Sequence, residues 1–269
     1  MAIAPENPSA LIRVAHMLAD AVRPITLQHF RQSGLTAENK HSTGFDPVTI
    51  ADRDAERVMR DILAAERPSD GILGEEFDDI TGTSGLTWVL DPIDGTRGFI
   101  SGTPTWGVLI AVSDENGPLF GLIDQPYIGE RFVGGFDLAE VVGPQGTAHL
   151  RTAAPRTLAE ATVLTTFPEV GTAAEMHAFQ AVSGKARLTR YGMDCYGYAL
   201  VATGQVDLVI EAGLNPYDIH APIAVVQAAG GIVTDWTGGP AHRGGRAIAA
   251  ANPQIHAEAL ALVQSVINA

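Results

Sequence analysis

The segment Trp88-Val89-Leu90-Asp91-Pro92-Ile93-Asp94-Gly95-Thr96 carries the key to this chain. An apolar run of strand type ends in two carboxylates three residues apart, followed by a glycine and a hydroxyl. Strand ends are where layered α/β proteins place ligands. Proline fixes φ, so Asp91 and Asp94 can both turn towards one point, and the backbone carbonyl between them adds another hard oxygen donor. Gly95-Thr96 is expected to open a helix whose free N–H groups can hold a phosphate. Taken alone, the pattern also fits an Asp-rich turn capping a helix, because turns favour these residues.

Three further segments add carboxylates. Ile72-Leu73-Gly74-Glu75-Glu76 again ends an apolar strand in acids, Asp46-Pro47-Val48-Thr49-Ile50-Ala51-Asp52 places Asp52 at a helix start, and Asn215-Pro216-Tyr217-Asp218 places Asp218 at another. Asp52 and Asp218 are each explained equally well as N-terminal helix charges, and Glu75 in isolation as a surface acid. Convergence changes the weighing. Two carboxylates about 4 Å apart repel by roughly 4 kcal/mol at an effective dielectric of 20, so several can gather only around cations. Hard oxygen ligands without a Cys or His cluster select magnesium, with manganese as a substitute, over zinc.

Outward from this core the periodicity sets the architecture. Asn7-Pro8 is a helix cap with proline in the first turn, and Leu11, Val14, Leu18 and Val22 follow at helical spacing, with Pro24 expected to kink or interrupt the helix near its end. Glu38 to Asp46 reads as a loop. A second helix is expected from near Asp52, with Ala55, Val58, Ile62 and Leu63 inward and Pro68 beyond its end. Strands are expected at Gly71–Leu73, Trp88–Leu90, Trp106–Val112, Leu119–Ile123 and Arg131–Val133. Later strands fall at Thr162–Thr165, Val206–Ile210, Gly231–Thr234 and Ala247–Ala251. They alternate with helices at Ala174–Val182, Cys195–Thr203, Tyr217–Ala229 and Pro253–Ile267. The expectation is an α/β (α+β layered) protein with two sheets, divided near residue 150 into an N-terminal half, 1–150, and a C-terminal half, 151–269.

Composition narrows the function. The 269 residues contain 17 Lys and Arg against 31 Asp and Glu, a formal charge of −14, which disfavours nucleic acid and anionic membrane surfaces as partners. The same charge would repel a phosphorylated ligand unless bound cations invert the local potential. A single cysteine, Cys195, excludes an internal disulfide and a multi-cysteine zinc site. The first residues, Met1–Glu6, lack a basic, apolar leader, and no run of 18 apolar residues occurs, so a cytoplasmic protein without a membrane span is expected. His16, His29, His177 and His256 read as solvent-facing, His220, Trp106 and Trp236 as packing residues, and Cys195 as a small buried hydrophobe.

Together these elements resemble the inositol monophosphatase superfamily. They occur in order: Asp46–Asp52, Gly74-Glu75-Glu76, Asp91-Pro92-Ile93-Asp94-Gly95-Thr96, and Tyr217-Asp218 with Ala228-Ala229-Gly230-Gly231 following. The resemblance implies an inositol monophosphatase-like αβαβα sandwich, a homodimer, two or three Mg2+ ions, and hydrolysis of a small phosphorylated metabolite by metal-activated water. By matching positions it implies that Glu75, Asp91 and the Ile93 carbonyl hold one ion, and that Asp91, Asp94 and Asp218 hold a second. Glu75 would help a third through water. Asp52 and Thr96 match the pair that orients and deprotonates the attacking water, and the Gly95 and Thr96 amides match a phosphate cradle.

Within the superfamily, Asp94–Gly102, Pro104-Thr105-Trp106-Gly107, Asp194-Cys195-Tyr196-Gly197-Tyr198 and Asn215–Asp218 most resemble the histidinol-phosphate phosphatase branch. Gly98 is smaller than that branch usually carries. Histidinol phosphate bears an ammonium and an imidazole, so carboxylates beyond the metal ligands are expected. Asp194 and Glu211 lie in the matching segments, with Arg190 as a further candidate. Helix capping also explains Asp194, and a surface ion pair explains Arg190. The alternatives are a phosphatase of the same superfamily acting on inositol phosphates or on nucleotide or sugar bisphosphates, and a non-catalytic metal-binding regulatory protein.

Overall fold

The computed structural model describes residues 7–32, 38–39 and 47–268. Met1–Glu6 and all but two residues of the loop expected over Glu38–Asp46 lie outside the described residues. Those two, Glu38–Asn39 (β1), form a two-residue antiparallel pairing with Pro47–Val48 (β2).

Helix α1 (Pro8–His29) begins as its cap predicts, with Asn7 Oδ1 accepting the Ser9 N–H at 3.1 Å. Pro24 does not interrupt it; the helix runs five residues further. Pro24 is exposed, so the carbonyl that loses its partner can turn to water, and the buried Thr26 hydroxyl donates back to the carbonyls of Val22 and Arg23. Helix α2 (Ile50–Glu66) starts in a capping box: the backbone N–H and hydroxyl of Thr49 both donate to Asp52, at 2.9 and 2.6 Å. Its buried stripe is Ala51, Asp52, Ala55, Glu56, Met59 and Leu63, whereas Val58 and Ile62 are only half-buried.

The first sheet runs β3 (Gly71–Gly74), β4 (Thr87–Asp94), β5 (Gly107–Asp114), β6 (Gly117–Gln125), β7 (Glu130–Gly135), β8 (Leu138–Gly143), β9 (Gly146–His149), in spatial as well as chain order. Only β3 and β4 are parallel. Helix α3 (Thr96–Ser101) interrupts this run after β4. The second sheet has the order β11-β10-β12-β14-β13, from β10 (Thr162–Thr165), β11 (Leu188–Tyr191), β12 (Leu208–Leu214), β13 (Ile232–Thr234) and β14 (Gly245–Ala250). Helices α4 (Ala173–Ser183), α5 (Asp194–Ala202), α6 (Pro216–Ala228) and α7 (Pro253–Ile267) complete the chain.

Three apolar cores define five layers. Leu11, Leu18 and Met59 of α1 and α2 pack on Trp88, Leu90 and Val112 of the first sheet. The other face of that sheet, through Val89, Leu109 and Phe132, meets Tyr198, Val201, Ile219 and Val225 of α5 and α6, which also cover Leu164, Val209 and Ala249 of the second sheet. Phe179, Ile255 and Val263 of α4 and α7 close the outer face of the second sheet. The expected layered α/β sandwich with two sheets is what the chain forms. Helix α6 lies so close to the first sheet that a Cβ on Gly134 would come within 2.5 Å of Val225 Cα.

Five strands were not expected from the sequence: the two-residue β1 and β2, of which β1 falls in the expected loop, and β8, β9 and β11. β9 is exposed along its length, and β11 nearly so, while β8 shows no clean alternation. Edge strands such as β9 and β11, without a buried face, carry little period-2 signal, and β8, paired with both β7 and β9, lacks a regular buried face of its own.

Candidate active site

The register of β4 against β5 explains the acid turn. Asp91 pairs with Leu109 and Asp94 with Gly107, so three steps on one strand face two on the other. The extra residue lies at Pro92-Ile93, where proline has no N–H to give the ladder, and such bulges re-aim side chains. The Ile93 N–H donates to Asp91 Oδ1 at 3.0 Å, and the chain then enters α3 through Gly95 at φ 81°. A side chain there would be strained, and its Cβ would lie 2.7 Å from the Asp194 carboxyl carbon. Behind the turn, Ile93 joins a compact aromatic cluster of Phe30, Phe99 and Trp106, with ring centroids of Phe99 and Trp106 at 4.9 Å.

Above this turn opens a cavity of about 450 Å³. Glu75 reaches it from the end of β3, Asp91, Ile93 and Asp94 from β4, and Gly95, Thr96 and Arg97 from the start of α3. Thr166 and Phe167 enter from the end of β10, Asp194 from the start of α5, and Gly213, Asn215, Tyr217 and Asp218 from the junction of β12 and α6.

Asp91, Asp94 and Asp218 each offer a carboxylate oxygen, and the three lie within 4.8 Å of one another. Glu75 stands close enough to Asp91 for its charge to act on that carboxyl. Burial, then the charges of Glu75, Asp94 and Asp218, push the Asp91 carboxyl well above the usual range. Burial, then Asp194 and Asp218, do the same to Asp94, although the Cys195 N–H at the start of α5 donates to it at 2.6 Å. An all-oxygen set of mutually repelling acids with no Cys or His ligand fits a hard divalent cation such as Mg2+ or Mn2+.

Asp52 and Asp218 both occupy the third helical position and both cap: Asp218 Oδ2 accepts the Asn215 N–H at 2.6 Å. A carboxylate has two oxygens, so the capping role does not exclude another. In Asp52 the second oxygen, Oδ1, is buried and has no hydrogen-bond partner among the described residues. Burial, reinforced by the Glu75 charge and opposed by the Thr49 bonds, moves the Asp52 pKa to about 6. Asp52 does not line the cavity, and the Thr96 hydroxyl donates to the Ile93 carbonyl at 3.2 Å rather than to Asp52.

The candidate recognition residues separate. Asp194 lines the cavity at φ 45°, a left-handed conformation rare outside glycine and tolerated best by Asp and Asn. It does not cap α5: its carboxylate accepts from Thr105 Oγ1 at 3.4 Å, and burial raises its pKa against the nearby Arg97 charge. Glu211 stands behind the wall. It accepts the N–H and hydroxyl of Thr166 at 2.6 and 2.9 Å, and burial raises its pKa to about 7. Arg190 lies exposed on edge strand β11 and does not line the cavity. The strand carries alternate residues away from the site, which sequence position could not reveal.

Sequence reasoning missed Thr166, Phe167 and Arg97. The first two follow the end of β10, a place where strand-end logic could have found them. The Arg97 guanidinium covers the Phe167 ring at 4.6 Å. Three of the four histidines expected to face solvent are half-buried instead: His29, His16, which meets Arg131 at 3.1 Å, and His256, which meets Thr234 Oγ1 at 2.7 Å.

The inositol monophosphatase family model matches residues 7–268, and the chain belongs to that family. It is therefore a phosphatase of a superfamily whose enzymes use Mg2+. Among its relatives, the bifunctional phosphatase IMPL2 of Arabidopsis thaliana is 39% identical over 88% of this chain and 69% of its own length. Histidinol-phosphatase of Streptomyces coelicolor is 36% identical over 93% and 95%. An inositol monophosphatase structure from Zymomonas mobilis superposes with a TM-score of 0.83 at 39% identity, covering 96% of this chain and 99% of that one.

Proposed function

We propose that the chain hydrolyses L-histidinol phosphate to L-histidinol and phosphate in a magnesium-dependent reaction. The observation that carries this reading is the wall beside the acid cluster, where the Asp194 carboxylate and the Glu211-braced Thr166 adjoin the ring of Phe167, which is part-exposed with Arg97 over one face. Anionic and aromatic groups together suit a cationic leaving group that carries a flat ring.

Glu75, Asp91 and the Ile93 carbonyl would hold one ion and Asp91, Asp94 and Asp218 a second, with Glu75 reaching a third through water. Bound there, the ions would lower the pKa of water and stabilise the attacking and leaving oxygens of an in-line displacement. Gly95 and Thr96 present backbone N–H groups at the start of α3 to the phosphate. Thr96 Oγ1 and Asp52 orient the attacking water, and Asp52 accepts its proton. That transfer needs Thr96 Oγ1 to turn from the Ile93 carbonyl towards Asp52, whose Oδ1 has acceptor capacity to spare.

Inositol 1-phosphate is the second reading, supported by the identity shared with the Zymomonas mobilis protein and by the ability of Asp194 to accept from hydroxyls. Phosphate release from the two esters, measured in parallel with Mg2+ and with chelator, separates them. A magnesium-dependent preference for histidinol phosphate is expected. Preference for the inositol ester discards the substrate and keeps the site.

A further inference from the structure

We propose that the Glu56–Arg60 pair of α2 is a positioning device that sets how tightly Glu75 holds a divalent cation; this rests on reading Glu75 as a metal ligand. Glu75 belongs to a run, Glu75-Glu76-Phe77-Asp78-Asp79, with four acids in five residues. Such a run repels itself and has no helix or strand ladder to hold it.

Helix α2 supplies the missing order. The fully buried Glu56 carboxylate accepts the Glu76 N–H at 2.8 Å through Oε2 and Arg60 Nε at 2.8 Å through Oε1. The rest of the Arg60 fork is spent on the same loop, with Nη1 donating to the Asp78 carbonyl and Nη2 to that of Phe77, both at 2.9 Å. Both Arg60 and Arg57 also sit over the Phe77 ring, at 5.6 and 5.7 Å. The approach is so close that a Cβ on Gly74 would collide with the Glu56 carboxylate. Backbone groups on the C-terminal side of Glu75 are thus bonded to one helix, while its side chain lines the cavity beside Asp91.

Asp52, Glu56 and Arg60 fall at i, i+4 and i+8 on one stripe of α2. The same helix therefore places the Asp52 carboxylate and, through this clasp, Glu75. Groups that orient a metal ligand without touching the metal typically matter about 10–100-fold in affinity. The sign of the effect separates positioning from charge. Removing a cation near the site should strengthen Mg2+ binding if Arg60 acted only through its field. Loss of the clasp should weaken it.

The test is isothermal titration of the substrate-free protein with MgCl2. Arg60→Met keeps the aliphatic stem and removes every donor, and we expect about 10–100-fold weaker Mg2+ binding. Arg60→Lys keeps charge but not the fork and should also weaken binding. Because Arg60→Met leaves a buried charge unpaired, the Glu56→Gln/Arg60→Met double variant, checked for native circular dichroism, gives the same reading without that strain. Glu75→Gln is the reference. If it weakens binding while the folded Arg60 variants match the wild type or bind more tightly, the clasp is overturned and the metal site stands. If Glu75→Gln leaves binding unchanged, the reading of Glu75 itself fails, and the clasp with it.

Discussion

At the residue scale, Asp52 shows how one side chain serves two ends. Its Oδ2 closes the α2 capping box, and its buried Oδ1 has no hydrogen-bond partner among the described residues, so helix stability and reactivity do not compete for the same atom. A carboxyl with a pKa near 6 acts as a base only when ionised, above that value. The acidic limb of kcat/KM should therefore lie at or below about pH 6, because cations at Glu75 would cancel the charge that helps to raise it. Asp52→Asn is expected to lower kcat by about 10²–10⁴-fold and to remove that limb. An unchanged limb in the variant would assign it to another group. Asp194 is the other instructive residue. Its left-handed backbone brings a carboxylate into the cavity where an ordinary helix start would have offered only a cap.

At the scale of elements, the bulge in β4 and the first turn of α3 form one mechanical unit. Gly95 is needed twice, for a φ of 81° and for the space beside Asp194. Gly95→Ala should cost about 1–3 kcal/mol of stability from backbone strain alone, read as a lowered urea midpoint. It should also depress kcat by displacing the Thr96 amide and hydroxyl. A variant with wild-type stability and turnover would show that the turn tolerates a side chain. How much was legible also differs by element. Pro253–Ile267 matches its helix end to end, because a cap, a proline in the first turn and helical periodicity agree there. β9 and β11 were not legible, since exposed edges leave no apolar alternation, and β8, paired on both sides, was not because its burial follows no period of two.

At the scale of the whole molecule, five layers bring acids from β3, β4, α5 and α6 to one cavity, at an electrostatic cost in the absence of cations. Asp52, Asp91, Asp94, Asp194 and Glu211 all have raised pKa values, the first reaching about 6 and the last about 7. At these five groups the native state binds more protons than the unfolded chain between the ordinary carboxylate range and about pH 7, so their contribution to stability falls as pH rises through that window. His16, His220 and His256, whose pKa values burial lowers, contribute in the opposite direction. The metal-free protein should melt at a higher temperature at pH 5 than at pH 7.5, and Mg2+ should recover more stability at the higher pH. Scanning calorimetry with and without chelator checks both parts. A metal-free protein that is more stable at pH 7.5 would contradict this picture of the cluster. Among the described residues no helix is long and apolar enough to cross a membrane.

The sequence alone determined the layered class, nearly every helix, and the acids that meet at Asp91, because local signals encode these: capping residues, periodicity, and a proline that breaks a ladder. Only the tertiary structure decided which candidates share the cavity. Asp194 enters it, Glu211 stands one residue behind Thr166, and Arg190 is carried away on an edge strand. The Glu56–Arg60 clasp was equally invisible, because it joins a helix to a loop some 20 residues later through a backbone N–H and two carbonyls that have no identity in the sequence. Side-chain chemistry is written residue by residue, but distance between elements is set by packing, and a site is made of distances.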